Sequence, residues 1–306
     1  FMLLRLRKPE PVDTVNIFTK MLFGQPSFYR EIPITGYRES KGWIYVNEYI
    51  GAEDKPEARA YRPPGTMKGK KKTWEVIHRT YWLGTDIYGR DMLSRLILGT
   101  RVSLSVGLMS VIISMLLGVT IGAVAGYFGG WIDAALSWLM NILWSLPALL
   151  LVIAISFALG KGLWQIFIAV GLSMWVEVAR LVRGQVLILK QVEYIEAARS
   201  LGFNNTRIII KHILPNIVGP ILVLASSNFA SAILLEAGLS FLGFGAQPPM
   251  PTWGSMIKEH YGYIVMDSAY LAVIPGLAIM LLVYAFNLVT VGLRDAFDIK
   301  SESTRF

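Results

Sequence analysis

The amino-acid sequence predicts an all-α, polytopic membrane protein with five membrane-spanning helices. Of its 306 residues, 54% are hydrophobic and only 16% are charged, whereas an average soluble domain carries roughly 25% charged residues. The mean hydropathy is +0.50, and a soluble protein of this composition would lack the polar surface needed to cover its core. Long uncharged runs in the sequence indicate the same fold class.

The apolar residues are concentrated in the last two thirds of the chain. Four runs there contain no Asp, Glu, Lys or Arg, and each exceeds the ~20 residues that an α-helix needs to cross a bilayer. They predict spans at about 102–126, 134–160, 216–235 and 268–293. A soluble protein could bury one such run in its core, but four of them require lipid.

A fifth span is predicted at 162–189, although it carries charge. Its uncharged part is short, so the helix must continue through Glu177, Arg180 and Arg183. These residues recur every third position and form one stripe, on which Glu177 and Arg180 are spaced to pair. We expect the stripe to face protein or the aqueous boundary, because charges that face lipid are costly.

The distribution of basic residues predicts the orientation. Six Lys and Arg residues lie between positions 180 and 212, so the positive-inside rule places the loop 190–215 in the cytoplasm. Residues 1–81 then form an extracytoplasmic insertion, 82–101 an amphipathic segment at the outer face, and 236–267 an outer loop. The tail from Arg294 is cytoplasmic. Exporting residues 1–81 requires a further span before them, which makes six in all.

Soluble enzymes and nucleic-acid-binding proteins fit the sequence poorly. The chain has no cysteine, which excludes disulfides, thiolate metal sites and cysteine nucleophiles. Although the net charge is +8, the basic loop 190–215 is tethered to the membrane on both sides, so no nucleic-acid partner is expected. The string GTMKGKKKT at 65–73 has the wrong glycine spacing for a nucleotide-binding P-loop. We therefore predict no catalytic residue and no metal site.

The loop between the third and fourth spans has a predictable shape. Glu196 to Arg199 is strongly helix-forming, and Gly202 stands where a helix ends in a left-handed residue. Asn204, Asn205 and Thr206 are candidate caps of a second helix, which should continue until Pro215 interrupts its hydrogen bonding. The pattern predicts a short helix, a glycine turn and a second helix that leads into the next span.

This loop resembles the EAA loop of ABC importer permeases. The matching residues are Glu196, Ala197, Ala198, Gly202, Leu214 and Pro215. His212 departs from the general pattern, which has isoleucine there, but the string HILPN is typical of the peptide-importer branch. The resemblance implies that the loop forms a coupling helix that docks on an ATPase subunit.

Three further stretches resemble the dipeptide/oligopeptide class, specifically its second (C-type) permease subunit. They are Trp82–Leu104, the outer loop Glu236–Ile257 and the ending Val291–Asp298. Within the outer loop, Glu236, Pro248 and Trp253 are candidate gate residues. The resemblance covers about 82–298, and residues 102–306 form the predicted permease core. Residues 1–81 have no counterpart in the family.

The resemblance implies a bacterial inner-membrane protein that forms half of a peptide path by alternating access. It implies four kinds of partner: a homologous permease chain, two ATP-binding subunits, an extracytoplasmic substrate-binding protein and membrane lipid. The chain itself would bind no cofactor, since ATP and Mg would be used by the partner subunits. Import of oligosaccharides or nickel is an alternative within the class. A secondary transporter or channel is more remote, because such proteins place ionisable groups deep in their spans, whereas the four uncharged spans of this chain have none. A structural scaffold is also less favoured, because it would not need the lever-like loop.

Overall fold

In this computed structural model the described residues are 2–7, 29–40, 43–50, 55–61, 74–160, 162–247, 250–266 and 268–302. The chain divides into two compact units, 1–98 and 99–306. The lysines at 68–72, the sequence Pro63-Pro64-Gly65 and the gate candidate Pro248 lie outside the described residues.

The first unit contains an antiparallel sheet of five strands among the residues described, in the order β4-β3-β2-β1-β5. The strands are β1 Met2–Arg7, β2 Tyr29–Ser40, β3 Trp43–Glu48, β4 Glu57–Tyr61 and β5 Trp74–His78. Along β3, buried Ile44 and Val46 alternate with exposed residues, as expected for a strand with one face on a core. This sheet, inside the predicted insertion 1–81, is an addition to the all-α class.

The segment that leads into the first long helix is organised by two aspartates. Asp86 is buried and bonds to Arg90 at 2.5 Å and to Arg95 at 2.6 Å. Asp91 accepts the backbone N–H of Leu93 at 3.2 Å, and the helix α1, Met92–Phe128, begins beside it. The predicted amphipathic segment 82–101 is therefore a turn followed by the first part of α1, with two of its arginines neutralised.

The second unit is helical. Within the described residues, four helical stretches are long and apolar enough to cross a membrane: Met92–Phe128, Leu163–Leu189, Asn205–Leu242 and Tyr270–Phe297. They overlap the predicted spans 102–126, 162–189, 216–235 and 268–293. The element bounds are α2 Gly130–Trp144, α3 Ala148–Leu159, α4 Leu163–Leu189, α5 Glu193–Ser200, α6 Asn205–Ile208, α7 Val218–Leu242, α8 Trp253–His260 and α9 Tyr270–Glu302.

The predicted span 134–160 is not one continuous helix. It overlaps the pair α2 and α3, which meet at an angle of 96°. Pro147 causes the break, since it has no N–H to donate to the preceding turn and forces the residue before it away from the helical region. The next helix, α3, begins at Ala148, and Pro147 is its N-cap in an extended conformation.

The first and third spans are held in close contact by glycines. Gly118, Gly122 and Gly126 follow one another at four-residue spacing on α1. A Cβ on Gly122 would contact the carbonyl oxygen of Ala179, and one on Gly126 would lie 2.8 Å from that of Arg183. Small residues at this spacing let two membrane helices approach backbone to backbone, so α1 and α4 form a tight seam that leads to the loop at 190.

Candidate functional site

The helical hairpin, defined here as residues 190–217, connects α4 to α7. Its first arm is α5. Its second arm consists of α6, a π-helical turn Ile209–Ile213 and a 3₁₀ turn Leu214–Ile217, after which α7 follows without a loop. The predicted arrangement of helix, glycine turn and helix is therefore present.

Gly202 closes the first arm in a Schellman motif. Its φ is +77°, its N–H donates to the carbonyl of Arg199 at 3.0 Å, and Phe203 N–H donates to the carbonyl of Ala198 at 3.2 Å. A left-handed residue in this position is usually glycine. A Cβ at Gly202 would meet no atom within 4 Å, so backbone conformation alone requires glycine here.

The second arm is capped and attached to the end of the first span. Asn204 caps α6 by accepting the backbone N–H of Thr206 at 3.3 Å. The next residue, Asn205, accepts a hydrogen bond of 2.9 Å from the hydroxyl of Tyr127, the penultimate residue of α1. Tyr127 also lies beneath the guanidinium of Arg199, which is 5.6 Å from the ring centroid. One aromatic side chain thus contacts both arms.

Pro215 changes the helix type rather than ending the helix. Because proline cannot donate to the carbonyl four residues earlier, the second arm widens into the π turn and then tightens into the 3₁₀ turn. The side-chain amide of Asn216 donates to the carbonyl of His212 at 2.6 Å and to the hydroxyl of Tyr194 at 3.3 Å. The proline region is therefore tied back to the first arm.

The two faces of the hairpin differ in chemistry. Its inner face is apolar and packs on the ends of the first and third spans. The buried members of this cluster are Ile195, Ala198, Ile208, Ile213 and Ile217 from the hairpin, with Ala123, Tyr127, Val178, Val182 and Val186 from the spans. The opposite face of α5 exposes Glu196, Ala197 and Arg199, and Leu201 beyond it is 74% exposed.

The six residues predicted for this site are thus brought together in one element. Glu196, Ala197 and Gly202 are on the exposed side, and Pro215 is exposed on the second arm. Ala198 and Leu214 instead pack in or against the apolar cluster, where they support the hairpin.

Two contacts that the sequence did not predict brace the base of the hairpin. Lys190 donates to the carbonyl of Gly126 at 3.1 Å, in the last turn of α1. Arg183 binds the carboxylate of Asp133 on α2 through two nitrogens, at 2.5 and 2.7 Å. The predicted stripe on α4 therefore faces protein at Arg183. In the sequence, Asp133 is the one acidic residue between the first two uncharged runs, and it was the signal that could have predicted this contact.

The far end of α7 has different chemistry. Glu236 is 1% exposed and accepts hydrogen bonds from Ser240 at 2.7 Å and from Ser103 of α1 at 3.3 Å. The Thr252 hydroxyl bonds to the same carboxylate, just before α8 begins with a Thr252–Ser255 capping box. Glu236 thus joins α1, α7 and the segment before α8.

The other described gate candidate, Trp253, is also buried. It is 3% exposed and packs against Gly99, whose Cβ would lie 2.8 Å from the indole ring. Glu236 and Trp253 are therefore brought into one buried region, in which they connect elements of the second unit rather than line a surface.

A cavity of about 480 Å³ lies at the break between α2 and α3. Its described lining comes from α2 and α3 with the break between them, and from α4 and α7: Leu143, Trp144, Leu146, Ala148, Leu151, Ser173, Met174, Val176, Glu177, Ser231, Leu234 and Leu235. The lining is apolar apart from two hydroxyls and the carboxylate of Glu177. Its size is within the range of small-molecule sites, about 300–1,000 Å³.

Comparison with known proteins gives a consistent match. The family described as "Binding-protein-dependent transport system inner membrane component" matches residues 118–301. The glutathione transport system permease protein GsiD of Pectobacterium atrosepticum is 46% identical over 73% of this chain and 74% of its own length. The dipeptide transport system permease protein DppC of Alkalihalophilus pseudofirmus is 44% identical over 73% of each chain.

Solved structures support the same fold. An inward-facing structure of the MetNI methionine ABC transporter covers 67% of this chain and 97% of its own, with a TM-score of 0.55 at 20% identity. A second crystal form of that transporter gives a TM-score of 0.51. At this level of identity the likeness concerns the fold alone.

Proposed function

Because the chain belongs to the family of binding-protein-dependent transport system inner membrane components, we propose that it serves as the permease subunit of an ABC importer. It forms half of a membrane path for small peptides, working by alternating access. Relatives that are 46% and 44% identical are named for glutathione and dipeptide transport, which favours peptides over oligosaccharides or nickel.

The complex that this function requires contains more than this chain. A homologous permease chain completes the path, two ATP-binding subunits supply the energy, and an extracytoplasmic binding protein delivers the peptide. This chain hydrolyses no ATP and binds no cofactor, and ATP and Mg act in the partner subunits. The match to the family of binding-protein-dependent transport system inner membrane components supports this division of labour.

The protein is a multi-pass component of the inner membrane. We place the helical hairpin and the end of α9 in the cytoplasm and residues 1–81 outside. The basic residues of the hairpin segment, among them Lys190, Arg199 and Arg207, support this orientation through the positive-inside rule.

One observation carries the proposal: the inner face of the hairpin packs on the membrane-spanning helices, whereas its outer face is exposed. Ile195 and Ala198 anchor α5 on the spans, while Glu196 and Ala197 remain exposed. Since the second arm continues into α7 without a loop, a displacement of α5 is transmitted to a membrane-spanning helix. An ATP-binding subunit that holds Glu196 and Ala197 could then shift the equilibrium between outward-open and inward-open states.

The test changes the conformation of Gly202 without filling space. In G202V a β-branched residue must adopt φ of +77°, a conformation that costs roughly 1–3 kcal/mol. The turn at position 202 should therefore lose its left-handed conformation and the Schellman hydrogen bonds. As a result, peptide uptake should fall at least tenfold, and the binding protein should no longer stimulate ATP hydrolysis. Both rates are measured on the complete importer in proteoliposomes.

Two control variants separate conformation from bulk. Asparagine tolerates the left-handed region, so G202N should keep much of the uptake. A Cβ added at Gly262 would also meet no atom within 4 Å, but Gly262 does not have a positive φ, so G262V should behave as wild type. Wild-type uptake and wild-type stimulation in G202V would contradict the proposed role of the hairpin.

A further inference from the structure

Glu177 is a carboxylate near the middle of a membrane-spanning helix. It belongs to α4, Leu163–Leu189, and its side chain is exposed. A charge at the centre of a span costs roughly 2.5–3.5 kcal/mol on insertion scales. Ionisable residues in such positions face a cavity or a partner and mark substrate pathways, so the surroundings of Glu177 decide its role.

The predicted pairing of Glu177 with Arg180 is absent. Arg180 instead donates to the side-chain oxygen of Asn141 at 2.7 Å, and its guanidinium lies 4.6 Å from the ring centroid of Trp144. Arg183 is held by Asp133. Both arginines are thus engaged by α2, and within the described part of the chain Glu177 makes no hydrogen bond or ion pair.

The cavity beside Glu177 gives this carboxylate a defined environment. Among its described lining residues, Glu177 is the one charged side chain, and Ser173 and Ser231 are the hydroxyl-bearing ones. The remaining lining is apolar and is shaped by the 96° break at Pro147. A carboxylate on the wall of an apolar cavity, with no described partner, attracts a cationic group.

The chemistry of the lining favours one class of cation. A transition metal such as nickel is typically bound by imidazole, which the described lining does not offer. A peptide carries an α-ammonium group whatever its sequence, together with apolar and amide surface that an apolar wall with two hydroxyls can accommodate.

On the basis of the proposed function, we propose that Glu177 binds the α-ammonium group of the peptide as the peptide passes through the cavity. The alternative is a structural role, in which Glu177 pairs with a cationic side chain of the second permease chain. The two roles predict different responses to pH and to loss of the carboxylate.

The experiment compares E177Q with wild type in proteoliposomes that contain the complete importer and saturating binding protein. Uptake of an unmodified dipeptide at pH 7 should fall about tenfold in E177Q, as expected when a charge pair loses roughly 1.4 kcal/mol. Stimulated ATP hydrolysis should stay within about twofold, and E177D should keep most of the uptake. E75Q removes an exposed carboxylate from the sheet and should behave as wild type.

The pH profile distinguishes substrate binding from a structural contact. The α-amino group has a pKa of about 7.7–8.0, so the ammonium is lost as pH rises above 8. The advantage of wild type over E177Q should therefore shrink between pH 7 and pH 9. Taking the ratio of the two proteins cancels the effect of pH on the binding protein.

Four results would overturn the inference. Wild-type uptake by E177Q would show that the carboxylate is not used. Loss of the second permease chain from purified E177Q would assign Glu177 to the interface, as would a ratio that does not change with pH. If the wild-type importer itself takes up no dipeptide, the proposed function fails and the inference fails with it.

Discussion

The hairpin that leads into α7 and the far end of α7 use the same backbone motif in opposite surroundings. Gly202 closes α5 before α7 begins, and Gly243 closes α7 itself with φ of +94° and a hydrogen bond of 2.9 Å from Phe244 N–H to the carbonyl of Leu239. A Cβ on Gly202 would meet nothing within 4 Å, whereas one on Gly243 would contact the Lys258 ammonium. The first turn is open and the second is covered.

The polar groups follow the same division. In the hairpin Glu196 is exposed, whereas Glu236 at the other end is buried and bonded to Ser103, Ser240 and Thr252. An exposed polar face is available for a partner, while a satisfied buried network rigidifies the elements that it joins. We therefore infer that the hairpin end of α7 transmits movement and that the Glu236 end serves as its fixed anchor.

The largest effect is expected at the buried end. E236A leaves the hydroxyls of Ser103, Ser240 and Thr252 without their common acceptor and opens a cavity. The free energy of unfolding should fall by roughly 3 kcal/mol or more, because buried polar groups that lose a partner carry their full desolvation penalty. Thermal unfolding of the detergent-purified chain, followed by tryptophan fluorescence, measures the change.

Two control variants make this test specific. E236Q keeps the shape and can accept the hydroxyl hydrogen bonds, so it should be much less destabilised than E236A. E196A removes a carboxylate of the same type from the exposed end and should leave the free energy of unfolding within about 0.5 kcal/mol of wild type. If E196A and E236A have the same free energy of unfolding, this result would contradict the proposed difference between the exposed hairpin and the buried end of α7.

A smaller effect is expected where the hairpin is attached to α1. Removing the hydrogen bond of 2.9 Å between Tyr127 and Asn205 in Y127F should cost about 1 kcal/mol, and N205A should cost a similar amount. In a double-mutant cycle the two changes should be non-additive, with a coupling energy of about 0.5–1.5 kcal/mol. Additive losses in the thermal unfolding of the three variants would mean that the contact does not hold the hairpin.

Much of the helical part of the fold could be predicted from the sequence because its signals are local. Uncharged runs of more than 20 residues indicate spans wherever they occur. The hairpin was predictable for the same reason, since the strongly helix-forming residues 196–199, the left-handed Gly202 and the cap Asn204 all act within a few residues. The exposure of Glu196 and Ala197 follows from the periodicity of a helix with one packed face.

The features that escaped prediction depend on distant residues. A proline in an apolar run can bend a helix or divide it, and the sequence around Pro147 does not show how α2 and α3 pack on α4. Glu236 follows an uncharged run and was expected in an outer loop, but its partner Ser103 is 133 positions away. In the sheet, Leu4 of β1 lies opposite Val76 of β5, and no local pattern reveals a pairing over such a distance in the sequence.

The contact between the hairpin and an ATP-binding subunit can be measured directly, because the chain contains no cysteine. In A197C the single thiol lies on the exposed face of α5, whereas in G262C it follows α8, at the end that we infer to be the anchor. Both variants are labelled with a thiol-reactive photocrosslinker in the assembled importer and are then illuminated. The proposed coupling role predicts a crosslink from position 197 to an ATP-binding subunit and none from position 262. Absence of that crosslink in an importer that still transports peptide, or an equal crosslink from position 262, would contradict it.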